Sequence, residues 1–448
     1  MKANDKNKPG LVWTRRPFAG IISKNHKMLT EKGGPAMRVT GIIAEYNPFH
    51  GGHQYQIARA KELSGADYCV VAMSGDFVQR GEPAVYSKYL RARAALACGA
   101  DLVLEIPSLF ATGSAEDFAS CGVALLSGLG AVDTLCFGSE CGDTAPLLRA
   151  ARYLTGGSAE YEDLLREGIK SGLTWPAARS RALKVLGVLD PDTISLIESP
   201  NNLLGLEYCR ALLAQNSALT PLAVLRRGNA YHDQGLENGQ ASASALRKVL
   251  SQSPLGLADP AVAPHIPPKA REIFAGSAPL FAGDFSALLN FAISGCIHEG
   301  IPFDRFEGIS DDLARRLARM ALTPAGWEGR IRQLKTRQYT YTRVSRALCH
   351  LLLGADARLT AKARTCGYAP YARVLGFNRS AAPLLAAVKQ KTSIPLITKT
   401  ADARKQLTGT PLELLNQDFH ASHLWQSVYC TKYGCSLPNE FTQKLTIL

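Results

Sequence analysis

From residue 37 onward, short apolar runs alternate with amphipathic stretches. The runs 38–44, 68–73, 101–106 and 133–137 are bounded by polar or turn residues and too short for helices. Such runs read as strands buried on both faces. Between them, residues 53–63, 88–98 and 114–126 carry apolar positions at helical spacing, as at Ile57, Ala60 and Leu63. Strand–helix–strand alternation implies βαβ units with right-handed crossovers. The expected fold is therefore α/β: a Rossmann-like, doubly wound parallel sheet whose ligands sit at the carboxyl ends of its strands. A helical region over 144–186 and one more strand over 221–226 complete this part. Pro254, Pro260, Pro264, Pro267 and Pro268 then read as a linker. Beyond them the pattern is mostly helical, over 285–297, 310–321, 331–334, 342–353 and 383–391, with a small sheet expected from 371–376 and 394–397. The expected organisation is an α/β domain over 37–253 and a second, mainly α-helical domain over 254–448.

Composition narrows the class. The chain has 448 residues, 46% of them hydrophobic and 20% charged, which excludes disorder over most of its length. No run of about 18 uncharged apolar residues is present, which excludes a spanning helix and a membrane partner of that kind. Lys and Arg total 51 against 38 Asp and Glu, a net charge of +13. A surplus of that size favours an anionic partner, nucleic acid first. Six of those thirteen charges come from residues 1–36, which lack periodicity and read as a disordered basic extension. The 11 cysteines are odd in number and form no CxxC pair, and several lie within apolar runs, as at Cys69, which suits a reducing, cytoplasmic compartment. No metal-ligand set is expected from them.

The residues that carry chemistry begin where the first strand ends. In Gly41-Ile-Ile-Ala-Glu45-Tyr-Asn47-Pro48-Phe-His50-Gly51-Gly52-His53, Asn47-Pro48 forces a turn and the two glycines let backbone approach a ligand. His53 opens a helix whose free N–H groups and dipole favour an anion. His50 and His53, three residues apart, can converge on one phosphate where charge develops. Further along, Ser242 and Ser244 precede an apolar-periodic helix and can cap it or bond phosphate, while Arg247 offers a guanidinium fork.

The first segment resembles the HxGH motif of the nucleotidyltransferase superfamily, and 241–247 resembles its ISSTxIR motif. Four further strings extend the likeness: Ser74-Gly-Asp76-Phe-Val-Gln79-Arg80-Gly81-Glu82-Pro-Ala84, Phe137-Gly138-Ser139-Glu140, Ser199-Pro200-Asn201-Asn202 with Leu203 to Tyr208, and Arg226-Arg227-Gly228. With Tyr339-Thr-Tyr341-Thr-Arg343 they resemble the bacterial tRNA(Met) cytidine acetate ligase family over nearly all of 37–448. The resemblance implies an ATP-dependent ligase that forms acetyl-adenylate and then N4-acetylcytidine at the wobble position of elongator tRNA(Met). It implies ATP contacts at Ile43, Ala44, Glu45, Tyr46, Asn47, Pro48, Phe49, His50, Gly51, Gly52, His53, Gln56 and Gly138. It adds one of Asn201 and Asn202, and one of Arg226 and Arg227. His50, His53, Ser244 and Arg247 are the expected catalytic residues, with ATP as co-substrate, Mg²⁺ beside it, and acetate and tRNA as the other substrates.

Asp76, Gln79 and Arg80 follow the second strand and are assigned to the acceptor side, for acetate or cytidine; an Asp–Arg contact that merely holds the loop is the competing reading. A basic stretch with interleaved aromatics, Arg315, Arg316, Arg319, Arg330, Arg332, Lys335, Arg337, Tyr339, Tyr341, Arg343 and Arg346, suits an RNA backbone and a stacked base. Arg337, Tyr339, Tyr341 and Arg343 are the residues assigned to tRNA. Two other functions fit parts of the pattern. A small-molecule adenylyltransferase needs no basic helical part of this size, and a non-catalytic RNA-binding protein needs no intact His50, His53, Ser244 and Arg247. The oligomeric state is not legible.

Overall fold

Five of the predicted strands assemble into the parallel centre of one sheet. In the computed structural model, which describes residues 37–226 and 242–448, the strands are β1 (Val39–Ala44), β2 (Tyr68–Ser74), β3 (Phe77–Val78), β4 (Glu82–Pro83), β5 (Leu102–Ile106), β6 (Thr134–Ser139), β7 (Thr220–Leu225), β8 (Ala372–Phe377), β9 (Leu396–Ile397) and β10 (Thr446–Ile447). The basic extension 1–36 and Arg227 lie outside the described residues. The large sheet has the order β10-β8-β5-β2-β1-β6-β7, with β9 beside β8. From β5 to β7 all neighbours are parallel. The chain thus winds outward from β1 in both directions, and the reversal lies between β1 and β6. In a doubly wound sheet the binding crevice opens there, at the strands' carboxyl ends.

Both faces of the centre are covered, which is why its strands read as unbroken apolar runs. On one face Ile42, Val71 and Cys136 pack with Ile57, Ala60, Ala95 and Leu246 from helices Gly51–Ser64, Lys88–Ala97 and Ala243–Gln252. Alternate residues point the other way: Gly41 lies against Leu126 and Ile43 against Gly122, both of helix Ala115–Gly128.

The C-terminal part departs from expectation in two ways. Its strands form no separate sheet. β8 pairs antiparallel with β5, Glu105 opposite Arg373, and carries β9 and β10 with it. The proline-rich stretch is no free linker either. Val262, Ile266, Ala270 and Phe274 enter the first core, and the Phe274 ring stacks on Tyr86 at 4.6 Å. A second core follows among helices Ser286–Glu299, Asp311–Met320, Trp327–Leu334, Tyr341–Leu352 and Gly409–Tyr433, built on Leu289, Leu313, Trp327, Leu348 and Trp425. Residues Arg38–Leu448 make one compact unit.

At the seam lies a buried cluster of charge. Lys88 Nζ is 2.8 Å from Glu105, 3.2 Å from Glu440 and 3.9 Å from Asp76. Arg373 pairs with Glu105 at 2.7 Å and with Glu440. Ser422 donates to Asp76 at 2.6 Å, and Tyr89 donates to Glu440 at 2.9 Å. Burial pulls the Lys88 ammonium down and Arg373 adds to that, but Glu105 and Glu440 outweigh both, so its pKa is raised. Burial likewise pushes Glu440 up, and Lys88 and Arg373 reverse it to a net lowering.

Candidate active site

A pocket opens at the carboxyl ends of β1, β6 and β7, at the topological reversal. Its floor is Ile43, Ala44, Phe137, Gly138, Val224 and Leu225; Phe118, Leu204 and Tyr208 add apolar walls. Glu45, Tyr46, Asn47, His50, Gly52, His53, Gln56, Gln79, Arg80, Asn201, Arg226, Ser242, Ser244 and Arg247 bring polar groups to it.

The turn after β1 is held from both sides. Arg91, fully buried, donates to the Glu45 carbonyl at 2.7 Å and to the carbonyls of Tyr86, Ser74 and Gly75. Asn47 Oδ1 accepts from Val85 N–H at 2.8 Å, and Arg247 Nη1 donates to the Asn47 carbonyl at 2.8 Å. So the two motifs, 200 residues apart, meet through a direct bond. The other Arg247 nitrogen pairs with Glu82 at 3.1 Å. Ser242, not Ser244, caps helix Ala243–Gln252, accepting from Ala245 N–H at 3.1 Å.

His50 is the N-cap of helix Gly51–Ser64. Its Nδ1 accepts from Gly52 N–H at 3.1 Å, while His53 Nδ1 accepts from His50 N–H at 3.2 Å. The imidazole centroids stand 3.7 Å apart. A neutral ring whose Nδ1 accepts must carry its proton on Nε2. Both rings therefore present N–H donors. Burial lowers both pKa values. His50, also facing Arg226, His265 and Arg247, falls to about 3, and His53 is lowered further by His50 and Arg226. The pair stays neutral at physiological pH.

Hairpin β3–β4 reaches the pocket from β2 and carries Gln79 and Arg80 at its tip. Gly81 takes φ +74°, accepts from Ser345 Oγ at 2.8 Å and lies so close to the Arg346 backbone that a Cβ would collide with it. The hairpin is thereby docked on helix Tyr341–Leu352. Gly138 serves a different approach: a Cβ there would sit 3.3 Å from Arg226 Cγ, so glycine lets that side chain cross the end of β6.

The neighbouring asparagines separate. Asn201 lines the pocket and accepts from Arg226 Nη1 at 3.2 Å. Asn202 is buried, and its Oδ1 accepts from Ser139 Oγ at 2.6 Å and Glu140 N–H at 3.0 Å. It holds the turn after β6 and offers nothing to a ligand. Asp76 is also away from the pocket. It accepts from Lys88 N–H at 2.7 Å and belongs to the buried charge cluster, away from the pocket in which the acceptor-side reading put it. Phe49 is buried against Tyr46 at 4.9 Å, and neither Pro48 nor Gly51 lines the pocket.

On the basic stretch, Arg337 and Arg343 are exposed, and the Arg343 guanidinium lies 4.8 Å over the Tyr339 ring. Tyr339 itself is buried, bonded to Ser310 at 2.9 Å, and Tyr341 donates to Glu328. Arg330 is no surface cation: it is fully buried, donating to the carbonyls of Met320 and Thr323. The walls Phe118, Leu204 and Tyr208 escaped sequence reasoning, because apolar lining residues carry the same pattern as core.

A parallel sheet whose histidine-bearing turn aims neutral donors into a polar crevice defines a nucleotide-binding class. The family described as HIGH Nucleotidyl Transferase matches residues 37–436. A tRNA(Met) cytidine acetate ligase of Acetivibrio thermocellus is 37% identical over 92% of this chain and 100% of its own length; one of Halothermothrix orenii is 36% identical over 89% and 95%. Thermotoga maritima TmcAL bound with alpha-thio ATP superposes with a TM-score of 0.83 at 28% identity, covering 92% of this chain and all of that one; the apo form gives 0.84 at 29% with the same coverage. The chain belongs to the tRNA(Met) cytidine acetate ligase family within the HIGH nucleotidyl transferases.

Proposed function

We propose that the protein activates acetate with ATP and transfers the acetyl group to the wobble cytidine of elongator tRNA(Met), in the cytoplasm. The observation that carries this is the convergence of His50, His53, Ser244 and Arg247 on one pocket at the sheet's reversal, in a chain aligned along its length with ligases of that name. In this reading the purine lies between Phe118, Phe137 and Tyr208, and Asn201 meets its edge. Arg226, Arg247 and Ser244 hold the phosphates. An acetate oxygen attacks the α-phosphorus and pyrophosphate leaves, while the two Nε2–H groups donate to the oxygens on which charge grows. Mg²⁺ accompanying the triphosphate would be held chiefly by phosphate oxygens and would neutralise their charge, since among the described residues no group of three or more His, Cys, Asp or Glu side chains is placed to hold a metal ion. Hairpin tip and helix Tyr341–Leu352 are in contact, which supports tRNA approaching across Arg343 and Arg337 with the cytidine at Gln79 and Arg80.

The test is mass spectrometry of tRNA nucleosides after incubation with ATP and isotope-labelled acetate. Labelled N4-acetylcytidine is expected, and its absence would refute the reading. Asn201→Ala is expected to raise the KM for ATP about tenfold, the loss of roughly one hydrogen bond of about 1.4 kcal/mol. Asn202→Ala should instead lower stability by about 1–3 kcal/mol, because it removes the acceptor shared by the Ser139 hydroxyl and the Glu140 N–H; calorimetry and ATP titration separate the two. Arg337→Ala with Arg343→Ala should weaken tRNA binding and reduce the slope of log affinity against log salt by about two, leaving adenylate formation intact.

A further inference from the structure

Acyl transfer to an exocyclic amine releases a proton, and the groups described so far cannot take it. Both imidazoles already accept a backbone N–H at Nδ1 and hold their proton at Nε2. The guanidinium groups have no lone pair to accept a proton, and burial raises the phenols of Tyr46 and Tyr208. Among the described residues lining the pocket, Glu45 carries the one carboxyl group. It stands at the end of β1, between the phosphate cradle of His50 and Arg247 and the hairpin tip of Gln79 and Arg80. Its backbone is pinned by Arg91, and its carboxylate accepts the Gln79 N–H.

We propose that Glu45 is the proton acceptor of the acyl-transfer half-reaction. The inference rests on the ligase reading above. The amine nitrogen attacks the acetyl carbonyl carbon and forms the C–N bond. The bond from that carbon to the phosphate oxygen breaks, and AMP leaves as its anion. The proton shed by the nitrogen passes to the Glu45 carboxylate and then to solvent. No other reactant is needed. The surroundings suit a base: burial raises the Glu45 carboxyl, Arg80 and Arg247 draw it down, and Glu82 pushes it up, leaving it above the ordinary range. Arg91 and Tyr208, from the two flanking helices, are the other titratable groups facing it. A base with a raised pKa is better matched to neutral pH than a free carboxylate.

The experiment separates the half-reactions. Acetate-dependent ATP–pyrophosphate exchange reports the first. Single-turnover transfer from synthetic acetyl-adenylate to a tRNA(Met) transcript reports the second. Glu45→Gln should slow transfer at least about 10²-fold more than it slows exchange. In the wild type, transfer should rise with pH through a limb above the usual glutamate range, and the variant should lack that limb. Transfer at the wild-type rate in the variant, or equal losses in both half-reactions by a variant that melts like the wild type, would overturn the proposal. So would a wild-type transfer rate that is flat with pH, a measurement that needs no variant. Failure of the ligase reading looks different: the wild type itself would form no N4-acetylcytidine.

Discussion

A His53→Ala variant should lose about 10²–10³-fold in acetate-dependent ATP–pyrophosphate exchange, the typical cost of removing one preorganised donor from a developing oxyanion. The fold should survive. His53 stands in the first turn of helix Gly51–Ser64, where alanine is tolerated, and the bond lost is the one from His50 N–H, about 1 kcal/mol as a cap. His50→Ala should act similarly, and the double variant should lose less than the product of the two, because the rings stand side by side and in the proposed mechanism serve one phosphate group. The pH dependence provides a second check. His50 is held near 3 by burial and by nearby cations, so no charge change on it falls between pH 5 and 8. Exchange should show no histidine limb near pH 6.5. A limb there, or near-normal exchange in His53→Ala, would remove the pair from the phosphate.

Lys88→Met should destabilise the protein by about 3–5 kcal/mol, the cost of leaving buried charge without its partner. The side chain is fully buried among Asp76, Glu105 and Glu440, and methionine fills its volume without its charge. Adding Glu440→Gln should recover part of the loss, since one orphaned carboxylate disappears. Denaturant titration of both variants checks this, and a near-neutral Lys88→Met would mean that the cluster relaxes or admits water. Acid should weaken the same cluster. Glu440 is lowered in the folded state, so its contribution is complete above the ordinary glutamate pKa of about 4.3 and fades as pH falls below it.

The parallel centre of the sheet was legible because each strand is short, apolar and followed by its own helix, all local signals. The pairing of β8 with β5 was not, because antiparallel addition at a sheet edge depends on partners some 270 residues apart, roughly the span from 104 to 374. Helix Gly409–Tyr433 was missed because its buried residues, among them Leu414, Asp418, Ser422 and Trp425, mix polar with apolar and meet more than one partner, blurring the single stripe that marks an amphipathic helix. At the site, the meeting of His50, His53, Ser244 and Arg247 in one pocket was readable from motif and context. Asp76 was misassigned to the acceptor side because a carboxylate at a strand's carboxyl end looks catalytic, while the lysine, serine and carboxylates that explain it come from 88, 422, 105 and 440. Which of Asn201 and Asn202 lines the pocket is a matter of helix rotation that adjacent identical residues conceal.

The buried charge cluster also sets an order of events during synthesis. Tyr89 and Glu440 are 351 residues apart, yet they bond directly, and Glu440 lies against Lys88 and Arg373 as well. Asp76, at the root of the hairpin that carries Gln79 and Arg80, depends on Ser422 and Lys88 in the same cluster. A chain on the ribosome displays its HxGH turn early, but the hairpin's footing is incomplete until Ser422 and Glu440 have emerged. In the proposed mechanism, a growing chain that has not yet reached Glu440 therefore displays the histidine-bearing turn without the full footing of the hairpin assigned to the acceptor side.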